Sequence, residues 1–141
     1  KAELVAEALR ASADSRLAPP DTDQIADDVR HMSRAVLATM RSRAGVATVR
    51  ALVSGGDSAP ELVAIIQAFF AERIAQVAPL VARAVRRGQL PPGTDPDLLF
   101  RHAAAPIYYR TLIMSETLTE ADADVAADVA LAAARAGVFV R

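Results

Sequence analysis

The chain has 141 residues, 52% hydrophobic and 23% charged, which suits one folded domain with a real core and excludes a disordered segment. Its formal net charge of −1 lacks the basic footprint of a free-standing DNA-binding module. It holds no cysteine, hence no disulfide framework and no thiolate zinc site, and no uninterrupted apolar run of about 18 residues that would mark a membrane span.

The opening Lys1-Ala2-Glu3-Leu4 carries no signal-peptide apolar region, so a cytoplasmic protein is the default expectation. Residues 1–14 read as an amphipathic helix with Leu4, Val5, Ala8 and Leu9 on one face. Pro19-Pro20 ends any continuation, and Asp21 with Gln24 three residues on predicts the start of the next helix. That helix, 22–43, places Ile25, Val29, Met32, Val36, Leu37 and Met40 on one stripe. Asp27, Arg30, Arg34 and Arg41 lie opposite, and Gly45 marks its end. A short helix, 46–53, turns Val46, Val49, Leu52 and Val53 inward before Gly55-Gly56.

The longest helix starts at a capping box, Ser58 with Glu61, and stops at Gly88. Its apolar stripe, including Ile65, Ile66, Phe69, Phe70, Val77, Leu80 and Val81, is wide enough for cover on more than one side. Pro79 is expected to bend it. Residues 95–115 begin with Asp95-Pro96, a cap followed by a first-turn proline. Residues 119–139 begin with Thr119 and Asp122 and carry nine alanines between Ala121 and Ala136. No strand-like alternation appears, so the reading is all-α: about six helices in an orthogonal or antiparallel bundle. The last helix pair has two apolar sides. It is expected to pack on the chain with one and on a second copy with the other, as a four-helix-bundle dimer.

Catalytic chemistry finds little support. His31 and His102 lack the paired Glu-x-x-His or His-Glu-x-x-His spacing of a metal site, so none is assigned. No Gly-x-Ser-x-Gly elbow and no phosphate-cradling glycine loop occurs. His31, beside Arg30 and Arg34, reads as a surface residue. His102, on an otherwise apolar face, reads either as a histidine bonded to nearby backbone or as a polar group in a pocket. Arg73 falls near the apolar face of the long helix. It either snorkels or pairs with an acid such as Asp28, or anchors a ligand carboxylate or carbonyl. Met32, Met40, Phe69, Phe70, Tyr108, Tyr109 and Met114 are a soft, large set that serves a core or a permissive apolar pocket.

The run "PPGTDPDLLFRHAAAPIYYRTLIMSETLTEADADVAADVALAAARAGVF" resembles the C-terminal end of tetracycline-repressor (TetR) family regulators, with a proline-bearing double-tyrosine helix, "LTE" and a terminal helix. The opening "KAELVAEALR" resembles the helix that leaves that family's DNA-binding head. The resemblance implies one ligand-binding and dimerisation domain over 1–141, with 1–14 connecting to a helix-turn-helix head that these residues do not contain and 95–140 forming the dimer pair. It implies a non-enzymatic repressor domain without cofactor, which binds a small apolar effector, forms a homodimer and meets DNA only through that head. The pocket set is Met32, Val36, Met40, Phe69, Phe70, Arg73, His102 and Tyr109. The dimer set is Ala104, Tyr108, Leu112, Val125, Val129 and Ala133. Tyr108 and Tyr109 point about 100° apart, and the resemblance leaves open which faces the pocket. A small helical dimeric interaction protein with no ligand is the competing reading, distinguished by a solid core.

Overall fold

The computed structural model describes Glu3, Leu4 and Glu7, residues 20–55 and residues 60–141. The first predicted helix, 1–14, lies outside these apart from Glu3, Leu4 and Glu7, which are helical, and so does the Ser58 cap. Five α-helices follow in order: α1 (Ile25–Arg41), α2 (Arg43–Gly55), α3 (Pro60–Arg86), α4 (Pro96–Tyr108) and α5 (Glu120–Arg135). A π-helical turn, Tyr109–Ile113, continues α4. The all-α expectation holds; among the described residues the one β feature is an isolated antiparallel bridge, Thr94 to Val140.

The core is built on α5. Ala123, Ala126, Ala127, Ala130 and Ala134 are all buried, and their methyl-sized side chains let the backbones of α1 and α4 come close on either side. Leu99, Ile107, Leu131, Val29 and Leu37 fill the remaining space, and Ser33 Oγ donates to the Ala103 carbonyl at 3.2 Å across the α1–α4 contact. The alanine stripe therefore serves packing within the chain.

Surface ion pairs run along the same seam. Arg30 grips Asp128 through Nε and Nη2 at 2.8 and 3.1 Å. Arg34 grips Asp124 at 2.7 and 2.6 Å. Arg41 Nη2 donates to the Leu118 carbonyl at 2.6 Å. Partners fall in number on α5 as they rise on α1, so the two helices are antiparallel. The polar face of α1 thus lies along α5, with the outer edge of each pair in solvent.

Several boundaries differ from the sequence reading. Helix α1 starts at Ile25, and neither Asp21 nor Gln24 supplies a side-chain cap. A distant residue does so instead: Gln89 Oε1 accepts from the Ile25 N–H at 2.9 Å, and Gln89 Nε2 donates to the Asp23 carbonyl at 2.8 Å. Gly45 does not end α1. The helix stops at Arg41, Ser42 turns extended, and Ser42 Oγ accepts from the Gly45 N–H inside the first turn of α2. A Cβ at Gly45 would lie 2.1 Å from the Thr39 carbonyl oxygen, so the glycine permits the tight α1–α2 corner. The last helix ends at Arg135, short of the expected 139. Gly137 takes φ +80°, and Val138 N–H returns to the Ala133 carbonyl at 3.0 Å, a glycine-terminated helix end. Phe139 then turns into the core, and the tail pairs with residues 93–95 through Asp95 N–H to the Phe139 carbonyl and Arg141 N–H to the Gly93 carbonyl.

The caps at Asp95, Thr119 and Gly88 form where expected. Asp95 accepts from the Asp97 N–H at 2.8 Å, and Thr119 and Asp122 make a reciprocal capping box. After Gly88, Gln89 N–H reaches back to the Ala84 carbonyl at 2.8 Å.

The exclusion of a membrane-length helix needs correcting. By length and composition alone, the 27-residue α3 is long and apolar enough to cross a bilayer. Its middle carries the buried Arg73, and the apolar Ile66, Phe69 and Phe70 line a cavity described below, which accounts for its composition within a folded domain.

Two outcomes follow from this packing. Ala127→Leu, which forces three carbons into the tightest helix contact, costs about 1–3 kcal/mol in urea unfolding. Ala38→Leu on the exposed side of α1 changes stability by less than about 0.5 kcal/mol. The second concerns acid. The Thr119 backbone N–H first, then the Thr119 hydroxyl and Arg110, hold Asp122 below its ordinary value of 3.8; hydrogen bonding from Arg34 does the same for Asp124. A carboxylate depressed in the folded state stabilises it above 3.8 and loses that contribution as pH falls through the folded value. The melting temperature therefore drops below that pH, and Asp122→Asn with Asp124→Asn flattens the drop.

Candidate functional site

Helices α1 and α4 are fixed by α5, whereas α2 and the first half of α3 lie on the far side, away from the alanine seam. Between the two groups lies a cavity of about 270 Å³. Helix α1 contributes Val36 and Thr39, and α2 contributes Val49, Leu52 and Val53. Ile66, Phe69, Phe70 and Arg73 come from α3, Phe100 and Tyr108 from α4, and Leu112 from the π-helical turn. At roughly 30 Å³ per water-sized group, the volume suits on the order of ten heavy atoms. Phe69 and Phe70 meet edge to face at 5.4 Å, and Phe70 leans on Phe100 at 6.5 Å. Rigid rings propped on one another cannot collapse to fill the space as leucines would.

The polar lining is sparse: Arg73, the Tyr108 hydroxyl and Thr39. Arg73 is only 6% exposed. Its guanidinium carbon sits 5.1 Å from the centre of the Phe69 ring, and Nη1 donates to Gln76 Oε1 at 3.0 Å. The expected partner Asp28 is engaged elsewhere, accepting from the Thr22 backbone N–H at 3.0 Å and its hydroxyl at 2.7 Å. Burial pushes the Tyr108 phenol up to about 12, against a smaller opposing pull from the positive charge of Arg73. Thr39 Oγ1 donates to the Ala35 carbonyl at 3.1 Å. Among the described residues no carboxylate lines the cavity.

Of the eight residues expected in a pocket, the structure brings together four: Val36, Phe69, Phe70 and Arg73. Met32 and Met40 do not line it. Met32 is buried in the core cluster that also holds Val77, Leu80 and Val81 of α3, and Met40 is buried in the cluster with Leu37, Ile107 and Leu118. His102 is exposed, on the outer side of α4. Nδ1 donates to the Leu98 carbonyl at 2.8 Å, and the ring stacks on Phe139 at 4.7 Å. Tyr109 is 56% exposed, and Tyr108 takes the cavity wall in its place. Leu112 lines the cavity, Ala104 is buried inside the chain and Ala133 is half-buried against the core, so these do not lie on an outer face. Val125 and Val129, by contrast, are 60% and 64% exposed on the side of α5 opposite its alanines, in line with Tyr109, Ile113 and Met114 as exposed apolar side chains of the last third. Thr39, Val49, Leu52, Val53, Ile66 and Phe100 also line it, outside the expected pocket set. Thr39 stands three residues after Val36, so helical spacing alone would have found it.

A more open groove of about 570 Å³ runs beside the cavity between α3 and α4, sharing Ile66, Phe70, Phe100 and Tyr108 as a common wall. Among the described residues no cluster of His, Asp or Glu is arranged to hold a metal ion.

Residues 19–130 match the family model of the tetracyclin repressor-like C-terminal domain, and the chain belongs to that family. The fold is similar to the crystal structure of the TetR family transcription regulator SCO0332, with a TM-score of 0.80 and 23% identity, over 93% of this chain and 72% of that one. No curated protein matches the sequence. The chain is thus a domain of a TetR-family transcription regulator.

The burial of Tyr108 gives a spectroscopic outcome. Ultraviolet titration is expected to find a phenol that ionises only at about 12, and Tyr108→Phe is expected to remove that late step. Because the folded value lies above the ordinary 10.0, the native state keeps its proton while the unfolded chain loses it, and stability falls as pH rises between 10.0 and about 12.

Proposed function

We propose that this chain is the effector-binding and dimerisation domain of a cytoplasmic TetR-family repressor. A small apolar molecule enters the cavity between α1, α2, α3 and α4, and DNA is bound by a helix-turn-helix head outside these residues. The observation that carries the reading is the cavity itself. A structural bundle with no ligand would gain stability by filling it, yet it is walled by propped aromatic rings and has one buried cation on its lining. For the ligand to regulate, it must favour one arrangement of these helices over another. It would touch α1 at Val36, α4 at Tyr108 and the π-helical turn at Leu112, and so press on elements that pack against α5 or continue from them.

The second half of the reading is a homodimer through the exposed side of α5 and the end of α4. Val125 and Val129 are one helical turn apart and exposed, a pattern that costs little to cover with a second copy. Sedimentation equilibrium is expected to give twice the 14.9 kDa chain mass. Val125→Asp with Val129→Asp is expected to give the single chain mass with the helical circular dichroism retained; a double variant that stays dimeric would place the contact elsewhere.

A further inference from the structure

From the side chains that wall both the cavity and the groove beside it, we infer that the two spaces form one elongated site. Its ligand is a single-chain amphiphile longer than the cavity alone, with its apolar chain in the cavity and a neutral hydrogen-bonding head in the groove. The inference rests on the reading of the cavity as an effector pocket and adds the length and the polarity of the molecule.

Ile66, Phe70, Phe100 and Tyr108 line the cavity of about 270 Å³ and the groove of about 570 Å³ alike, so a single layer of side chains stands between them. Helical spacing explains the sharing. Ile66 and Phe70 are one turn apart on α3, and Phe100, Ala104 and Tyr108 follow one another at single turns along α4. The layer is thin and adjustable. The Phe70 and Phe100 rings are 6.5 Å apart, towards the long end of aromatic contact, and tilted by 57°. Phe70 is half-buried, so turning its ring to another staggered position joins the two spaces without moving a helix. On the groove side Ala71, Ala104 and Ala105 present only methyl groups, which leaves a trough where larger side chains would close the α3–α4 seam. The chemistry changes along this path. Val49, Leu52 and Phe69 line only the cavity, whereas Gln67, Asp97 and Arg101 line only the groove. The apolar end of a ligand therefore belongs inside and its polar end outside. Asp97 and Arg101 are paired with each other, and Gln67 is an exposed amide that both donates and accepts, so the groove suits a hydroxyl or amide head better than an ion. A second copy of the chain has a better seat elsewhere: Tyr109, Ile113, Met114, Val125 and Val129 are the exposed large apolar side chains of the last third, and none of them lines the groove.

The test uses a ladder of neutral amphiphiles, 1-hexanol, 1-octanol, 1-decanol and 1-dodecanol, each titrated into the whole chain below its solubility limit. A cavity that suits on the order of ten heavy atoms is filled by 1-octanol, so a site confined to it gains nothing from a longer chain. The elongated site is expected to bind 1-dodecanol about tenfold or more tightly than 1-octanol, a fraction of the roughly fourfold gain per methylene that full burial would bring. Methyl-detected NMR of the unaltered chain locates the extra length: 1-octanol is expected to shift Val49 and Leu52 of the cavity, and 1-dodecanol to shift these and Ile74, which lines only the groove. Ala71→Trp and, separately, Ala105→Trp fill the groove from its two exposed banks. Each is expected to abolish the advantage of 1-dodecanol, leaving 1-octanol affinity and the sedimentation mass unchanged. Affinity that stops rising at 1-octanol, an Ile74 methyl that 1-dodecanol leaves unmoved, or an advantage that survives in both tryptophan variants overturns the elongated site and leaves the pocket reading standing. A fall in sedimentation mass in either variant assigns the groove to a second copy and likewise overturns it. Failure of every alcohol to bind overturns the pocket reading, and the elongated site with it.

Discussion

The close approach of α5 to α1 and α4 is the constraint on which the rest of the structure depends. It exists because the buried face of α5 is alanine apart from Leu131: Ala123, Ala126, Ala127, Ala130 and Ala134 present nothing longer than a methyl group. Alanine is also the best helix former, so the same residues that allow contact favour the helix that makes it. Side chains that cannot reach across so narrow a seam leave the polar work to its margins. There Arg30, Arg34 and Arg41 bridge to Asp128, Asp124 and the Leu118 carbonyl. Exposed pairs of this kind contribute modestly, and their main effect is to fix the register of two smooth surfaces that could otherwise slide.

That seam divides the molecule into a well-closed half and a looser one. The second half of α3 joins the closed half through Val77, Leu80, Val81 and Ala84, whereas its first half, with α2, is left to enclose what remains. The enclosing residues are of the wrong shape to fill it. Phe69, Phe70 and Phe100 brace one another, and Arg73 adds a buried guanidinium to the wall. A cavity in this position is therefore a consequence of where the small residues run out. Its walls belong to four helices, two of them part of the rigid seam, which is the connection a regulatory domain requires between a bound molecule and its own packing.

Much of this was legible in the residues, and the failures have physical causes. Caps with their own side chains, Asp95 and the Thr119–Asp122 box, read correctly because the signal is local. The start of α1 did not, because its cap is Gln89, a partner 64 positions away. Gly45 was taken for a stop because glycine usually punctuates; here it answers a steric demand from Thr39 that only the folded corner creates. The even run of alanines carries no stop signal of its own, and it is the positive φ of Gly137 that ends α5 and sends Phe139 into the core. Only half of the expected pocket set lines the cavity, for a related reason. Periodicity says which residues share a face, and Met32, Val36 and Met40 do share one, but not where another helix crosses that face. Met32 is buried in the core cluster that also holds Val77, Leu80 and Val81 of α3, and Val36 is left on the cavity. Tyr108 and Tyr109 differ by one position and so by about 100°, and the phase of α4 was settled only by its packing on α5.

The central claim is that the cavity, and not the exposed side of α5, is where a small molecule binds. Methyl-detected NMR of the chain, titrated with a neutral apolar probe such as 1-octanol, tests it most directly. The account predicts saturable shifts concentrated on the methyls of Val36, Val49, Leu52 and Ile66, with Leu131 in the alanine seam unmoved. Shifts confined to Val125 and Val129, or none that saturate, would contradict it.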